Sequence, residues 1–243
     1  MRETKASVWA LLRTVLGGLM LLWAVEVRAA TDGEAAAKAA AIIARMTAAY
    51  ARVPAYQTET ETSEYRKGRL VETRRFRYSF KKPYQLRIDM ETPHPGMRLI
   101  YPDENGKVFI RFGGWRGFMP LRLAPDNVLF ATRSGQRIDQ SDFGLLIRNI
   151  GRSLSGQRRG ELQVMERDRQ LLLEVVAVDH FLPGVVTRFR FVIDTTLWLP
   201  VAVEELTEEG QLKRTIHFRH LKTDPAFSQQ FFHIDEKDSA HGQ

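Results

Sequence analysis

Glu59, Glu61 and Glu64 stand in one strand-like stretch and are side chains that could do acid–base chemistry. On an extended strand, residues two apart share a face, so Glu59 and Glu61 would present the paired carboxylates that a glycosidase uses. No candidate partner in a pocket accompanies them, and the same spacing describes a solvated strand face. His217 and His220 stand three apart in a strand-like stretch, so they face opposite ways and do not share a metal ion. His94, between Thr92-Pro93 and Pro95, belongs to a turn. Asp142-Phe143-Gly144 spells a kinase fragment, yet no glycine-rich loop or catalytic-loop signature goes with it, and no Gly-x-Ser-x-Gly elbow is present. These residues point away from an enzyme, and they imply neither a metal nor a cofactor.

The elements point instead to apolar binding. From Phe76 to Met90, apolar side chains fall at Phe76, Tyr78 and Phe80, then at Leu86, Ile88 and Met90, with polar or charged residues between them. That period of two predicts two strands sharing one apolar face, joined by a turn at Lys81-Lys82-Pro83. One face requires a partner and the other requires water.

The first thirty residues are set aside from the fold. Arg2, Lys5 and Arg13 lead into an apolar run from Val15 to Val25, and Val27 and Ala29 place small residues three and one before a cut after Ala29. This is the pattern of a cleavable secretory signal over residues 1–29, and the run is shorter than the ~20 residues a spanning helix needs. Its removal takes four basic residues (Arg2, Lys5, Arg13, Arg28) and two acidic ones (Glu3, Glu26) from a chain of formal charge +7, leaving +5. A secreted protein follows. Without a cysteine it has no disulfides and no lipid-acceptor thiol, so its core alone must hold it. The remaining length suits one domain, residues 30–236, with a polar tail over 237–243. Arginines spread along strands, and nothing resembles a nucleic-acid module.

Asp32 is placed to cap a helix reaching about Arg52, with Ile42, Met46, Ala49, Tyr50 and Val53 as its apolar stripe. Strands are predicted over 56–65, 70–80, 84–91, 97–101, 107–112 and 117–123, joined by turns short enough to make neighbours antiparallel. Trp115 is read as packing over Gly113, Gly114 and Gly117 at a hairpin tip. Residues 124–140 show no period. Ser141 is placed to cap a short helix through Phe143, Leu146 and Ile147 that ends near Gly151. Strands resume over 160–167, 170–179, 185–194, 199–207 and 211–223. The fold class is therefore mainly β with covering α: a curled antiparallel sheet of ten or eleven strands, too large to stay flat, with two helices over its concave face.

Four segments in this order resemble the LolA-type periplasmic lipoprotein carriers and the wider group of outer-membrane lipoprotein-sorting proteins. They are Phe80-Lys81-Lys82-Pro83-Tyr84, Leu99 to Phe112 with its Asp103-Glu104-Asn105-Gly106-Lys107 turn, Ser141 to Asn149, and Phe191 to Ile234. The resemblance implies an unclosed β-barrel whose apolar hollow holds lipoprotein acyl chains, or other lipid, in transit towards the outer membrane. It also implies an inner-membrane release complex and an outer-membrane acceptor as partners, and the chain is expected to be a monomer. The residues expected to line the hollow are Phe76, Tyr78, Phe80, Leu86, Ile88, Met90, Ile110 and Phe112, with Phe143, Leu146 and Ile147 from the lid helix. In that family an arginine before the proline bonds to the lid backbone. Here Lys82 takes its place, and a single ammonium on a flexible stem makes a weaker latch. The alternative reading is an envelope-stress sensor using the same hollow.

Overall fold

A computed structural model of the chain describes residues 32–114, 120–127, 138–155, 162–178 and 185–233. The expected leader, the cut after Ala29, Trp115 and the polar tail lie outside the described residues. From Asp32 onward the chain forms a compact unit of its own.

Helix α1 spans Asp32–Ala51. Its stripe of Ala35, Ala39, Ile42, Met46 and Ala49 is buried, with Ile43 and Tyr50 half-buried beside it. Eleven strands follow among the described residues: β1 (Ala55–Arg66), β2 (Arg69–Lys81), β3 (Gln85–Thr92), β4 (Arg98–Tyr101), β5 (Val108–Arg111), β6 (Leu121–Leu123), β7 (Gln163–Arg167), β8 (Gln170–Val178), β9 (Val186–Asp194), β10 (Leu199–Leu206) and β11 (Leu212–Thr223). Helix α2, Phe143–Ser155, stands between β6 and β7.

All eleven strands join one sheet in the order β6-β5-β4-β3-β2-β1-β11-β10-β9-β8-β7, and every pairing is antiparallel. The order makes β6 and β7 the two edges, so the sheet is a curled, unclosed barrel rather than a ring. Strand β1 returns to pair β11, and this one long-range pairing joins a meander of β1 to β6 to a meander of β7 to β11.

The inner face carries the core. Tyr78, Phe80, Leu86, Leu99 and Ile110 from one wing meet Leu173, Val175, Phe189, Phe191 and Ile193 from the other, under Ile42 and Met46 of α1 and Phe143, Ile147 and Ile150 of α2. On the opposite face of β3 to β5, Ile100 and Phe109 are buried as well. After β11 the chain turns back over that face, where the Arg87 guanidinium lies 4.4 Å from the Phe231 ring centre and donates to the Phe231 carbonyl.

Helix α2 departs from the expectation at both ends. It begins one residue later than a Ser141 cap would place it, because Asp142 does the capping: its Oδ2 accepts from the Gly144 N–H and its Oδ1 from the Leu145 N–H. It also runs through Gly151 to Ser155. A Cβ on Gly151 would meet nothing within 4 Å, so the residue sits as an ordinary helical glycine, tolerated at about 1 kcal/mol rather than ending the helix.

Candidate functional site

Register arranges the inner face in rungs. Tyr56, Phe80 and Leu86 form the first; Thr58, Tyr78, Ile88, Leu99 and Ile110 form the second. Thr60 lies opposite both Phe76 and Phe218 in the third, and Met90 opposite Phe76. Thr62, Arg74 and Ile216 make the fourth, and Glu64, Glu72, Arg214 and Glu205 the fifth. Of the residues expected to line a hollow, Tyr78, Phe80, Leu86 and Ile110 are buried, and Phe76, Ile88, Met90 and Phe112 are half-buried against the same cluster. Cover thus thins from the first rung to the third. Met97 and Phe218, which the sequence reading did not single out, share that half-buried level.

The lid residues meet this face at its closed end. The Phe143 ring stacks on Tyr56 at 4.5 Å and meets Phe218 edge-on at 5.0 Å. Ile147 is buried and Leu146 half-buried in the same cluster. Four tyrosine hydroxyls hold the chain leading into α2. Tyr50 donates to Asp142 Oδ2 at 2.6 Å, Tyr56 accepts from the Phe143 N–H at 3.1 Å, Tyr78 bonds to Ser141, and Tyr84 donates to the Ile138 carbonyl while accepting from the Ser141 N–H. Burial, and then the Asp142 carboxylate, push the Tyr50 hydroxyl well above its ordinary range. Burial raises Tyr56 and Tyr78 likewise and brings Tyr84 to about 12. These hydroxyls are neutral across the physiological range and act as hydrogen-bonding posts.

Lys82 sits elsewhere than on the lid. Its Nζ donates to the carbonyls of Tyr50 at 2.7 Å and Ala51 at 3.1 Å, the last of α1, and lies 4.3 Å from the Tyr50 ring centre. A cation at a helix C-terminus satisfies carbonyls that have no partner within the helix. Lys82 is linked to the cap of α2 through Tyr50 and Asp142.

Of the carboxylates weighed for chemistry, Glu59 and Glu61 lie on the outer face and Glu64 on the inner one. Glu59 pairs with His220 Nδ1 at 2.8 Å, which holds its carboxyl below the usual range, and Glu61 pairs with Arg75 and Arg219. Where the pairing of β1 with β11 shifts register between Gln57 and Glu59 there is a cleft of about 350 Å3, lined by Gln57, Thr58, Glu59, Arg77, His220 and Lys222. All six of these side chains are polar or charged.

No family model matches the chain, and no curated protein matches it. Among solved structures, an uncharacterised conserved protein from Thermus thermophilus is 9% identical over 83% of this chain and 96% of its own, with a TM-score of 0.49. The Pseudomonas aeruginosa MucA/MucB complex matches at 15% identity and a TM-score of 0.45 over 82% of this chain and 62% of that one, so this chain spans less than two thirds of that relative's length. A LolA superfamily protein from Nitrosomonas europaea is 10% identical over 82% of this chain and 98% of its own, with a TM-score of 0.37. The neighbours of this open sheet with its helix cover thus include a LolA superfamily protein and MucB, at identities that concern the course of the backbone alone.

Proposed function

We propose that this chain is a non-enzymatic, periplasmic carrier that holds acyl chains of lipoproteins, or similar lipid, between the inner face of its sheet and helix α2. The observation that carries this reading is the graded cover of one continuous apolar face: closed over Phe80 and Leu86, half-open over Phe76, Ile88, Met90 and Phe112. A lid seated by hydroxyls at its first turn, with its length resting on apolar contacts, is suited to swing from that seat. Apolar contacts have no fixed geometry to break, so a cargo chain replaces them with contacts of the same kind. Burying roughly fourteen methylenes gains about 11 kcal/mol gross at ~0.8 kcal/mol each, from which opening the lid and ordering the cargo subtract. No ion or covalent bond is required.

The chain from Asp32 onward, purified without detergent, is expected to carry lipid or lipopeptide in native mass spectra and to bind a fluorescent long-chain fatty acid. Ile88→Asp and Met90→Asp, at half-buried positions, should weaken that binding at least tenfold while the protein still melts cooperatively. A protein that never carries lipid and accepts no acyl probe would sink the reading.

A further inference from the structure

The β1–β2 hairpin runs past its neighbours and ends in exposed charge and exposed apolar carbon. Strand β3 pairs β2 no further than Arg75, opposite Thr92, and β11 pairs β1 no further than Glu64, opposite Arg214. Beyond that, residues 69–74 of β2 pair with β1 alone among the described strands, which is about 20 Å of strand at ~3.3 Å per residue.

The turn is as tight as a hairpin allows. Arg66 pairs Arg69, and the two residues between them, Lys67 and Gly68, have φ of 50° and 73°. Positive φ at both places makes a type I′ turn, which favours Asn-Gly or Asp-Gly; here a cation takes the first place. Behind the turn the register slips, with Glu64 opposite Glu72 but Tyr65 opposite Leu70, so Val71 is an extra residue. A bulge re-aims side chains. Leu70 and Val71, 57% and 49% exposed, are the two most exposed large apolar residues among those described. Arg66, Lys67 and Arg69 are exposed beside them, and none of the three makes an ion pair with a described residue. The turn between β10 and β11 brings Glu208 and Glu209 to the same end of the sheet, but Lys213 comes with them, and the end stays net positive.

We infer that this hairpin tip docks the protein on a lipid surface that carries anionic phosphate headgroups. Cations alone would suit any acidic macromolecule, and exposed aliphatics alone any apolar one. A bilayer interface offers negative charge and hydrocarbon a few ångströms apart, which is how the tip is built. Lying aslant, it places Leu70 and Val71 at the acyl boundary while Arg66, Lys67 and Arg69, on longer stems, reach the headgroups. Two aliphatic side chains and three cations make such a contact weak and reversible. The inference goes beyond the carrier reading and does not depend on it, since docking needs no cargo. The tip does stand at the end towards which cover of the inner face thins, so a docked molecule would turn its less covered end to the lipid.

The test is co-sedimentation of the chain from Asp32 onward with vesicles of phosphatidylcholine, with and without phosphatidylglycerol, and with no acyl probe present. The apolar run over residues 15–25 is left out because it would enter lipid by itself. The protein should associate with the anionic vesicles only, and about 0.5 M salt should release it. Replacing Arg66, Lys67 and Arg69 by Gln together should weaken association at least tenfold, since each cation near an anionic surface is worth about fivefold. Leu70→Ser with Val71→Ser should weaken it severalfold. All five positions are exposed, so both variants should melt with the parent. Leu70→Trp should add emission that shifts to the blue on anionic vesicles and is quenched by brominated acyl chains. Equal association with neutral vesicles, or association unchanged in both variants, overturns the inference. No association with anionic vesicles also overturns it and leaves the tip to an acidic protein partner; the carrier reading, tested by acyl binding, stands or falls separately.

Discussion

Tyr56 shows how much one residue is asked to do. Its ring is the floor on which Phe143 stacks, with Tyr78 at 5.8 Å and Phe80 at 5.3 Å on either side, and its hydroxyl accepts from the N–H of the first residue of α2. That N–H is one of the four at a helix start with no partner inside the helix, and this one is buried. Tyr56→Phe keeps the stacking and strands the N–H. The expected loss is about 1–3 kcal/mol in urea denaturation, the range for a buried donor left unmet. The same variant should speed uptake of an acyl probe if the seat of α2 limits access, and stopped-flow mixing would show it. A variant as stable as the parent would mean that water replaces the hydroxyl.

At the scale of elements, two glycines in α2 respond oppositely to one substitution. A Cβ on Gly144 would stand 2.6 Å from Tyr50 Cε1 and 2.7 Å from Asp142 Oδ2, whereas one on Gly151 would meet nothing. Alanine is the better helix former at both, by about 1 kcal/mol. Gly151→Ala should therefore raise stability by up to about 1 kcal/mol. Gly144→Ala should lower it by about 1–3 kcal/mol, since the ring and the capping carboxylate must move; thermal melts of both variants, made together, decide it. The elements themselves were mostly legible. Period two located the strands to within a few residues, because one buried face forces alternation. The length of α2 was not, because Gly151 reads as a stop in sequence while the stripe through Leu154 keeps the helix going. The place of Lys82 was not legible either, although its cause is simple. Ala55 pairs Lys81, so the residue after β2 arrives beside the chain that has just left α1, and Lys82 donates its own N–H to the Pro54 carbonyl. Register, rather than residue type, sets which helix a basic side chain meets. Likewise the alternation gave Phe76 to Met90 as a face but held no sign that Tyr50, Tyr56, Tyr78 and Tyr84 would converge on residues 138–143, since that convergence is long-range.

The whole molecule separates its acid-sensitive and alkali-sensitive parts. Asp89 on β3 and Glu174 on β8 stand on opposite wings of the sheet. Burial pushes each carboxyl up, but bonds from Arg87 and Arg98 to the one, and from Arg190 and Arg188 to the other, outweigh it and leave both below the usual range. A depressed carboxyl contributes stability that is present above its unfolded value near 4 and is lost as pH falls through its folded value. The tyrosines at the seat of α2 are shifted the other way. A phenol raised by burial contributes stability that is present below its unfolded value near 10 and is lost as pH rises through the folded one, about 12 for Tyr84, with the other three raised likewise. Stability should thus stay level between about pH 5 and 9, and fall on both sides for different reasons. On the acid side the wings loosen, so Asp89→Asn should flatten that arm and leave the alkaline one intact. On the alkaline side the seat of the lid goes first, so tyrosinate absorbance should rise together with the loss of α2 protection in hydrogen exchange, ahead of the sheet. If the sheet and α2 lost protection at the same pH in alkali, the lid would be one cooperative piece with the barrel, and an opening confined to α2 would have no structural basis.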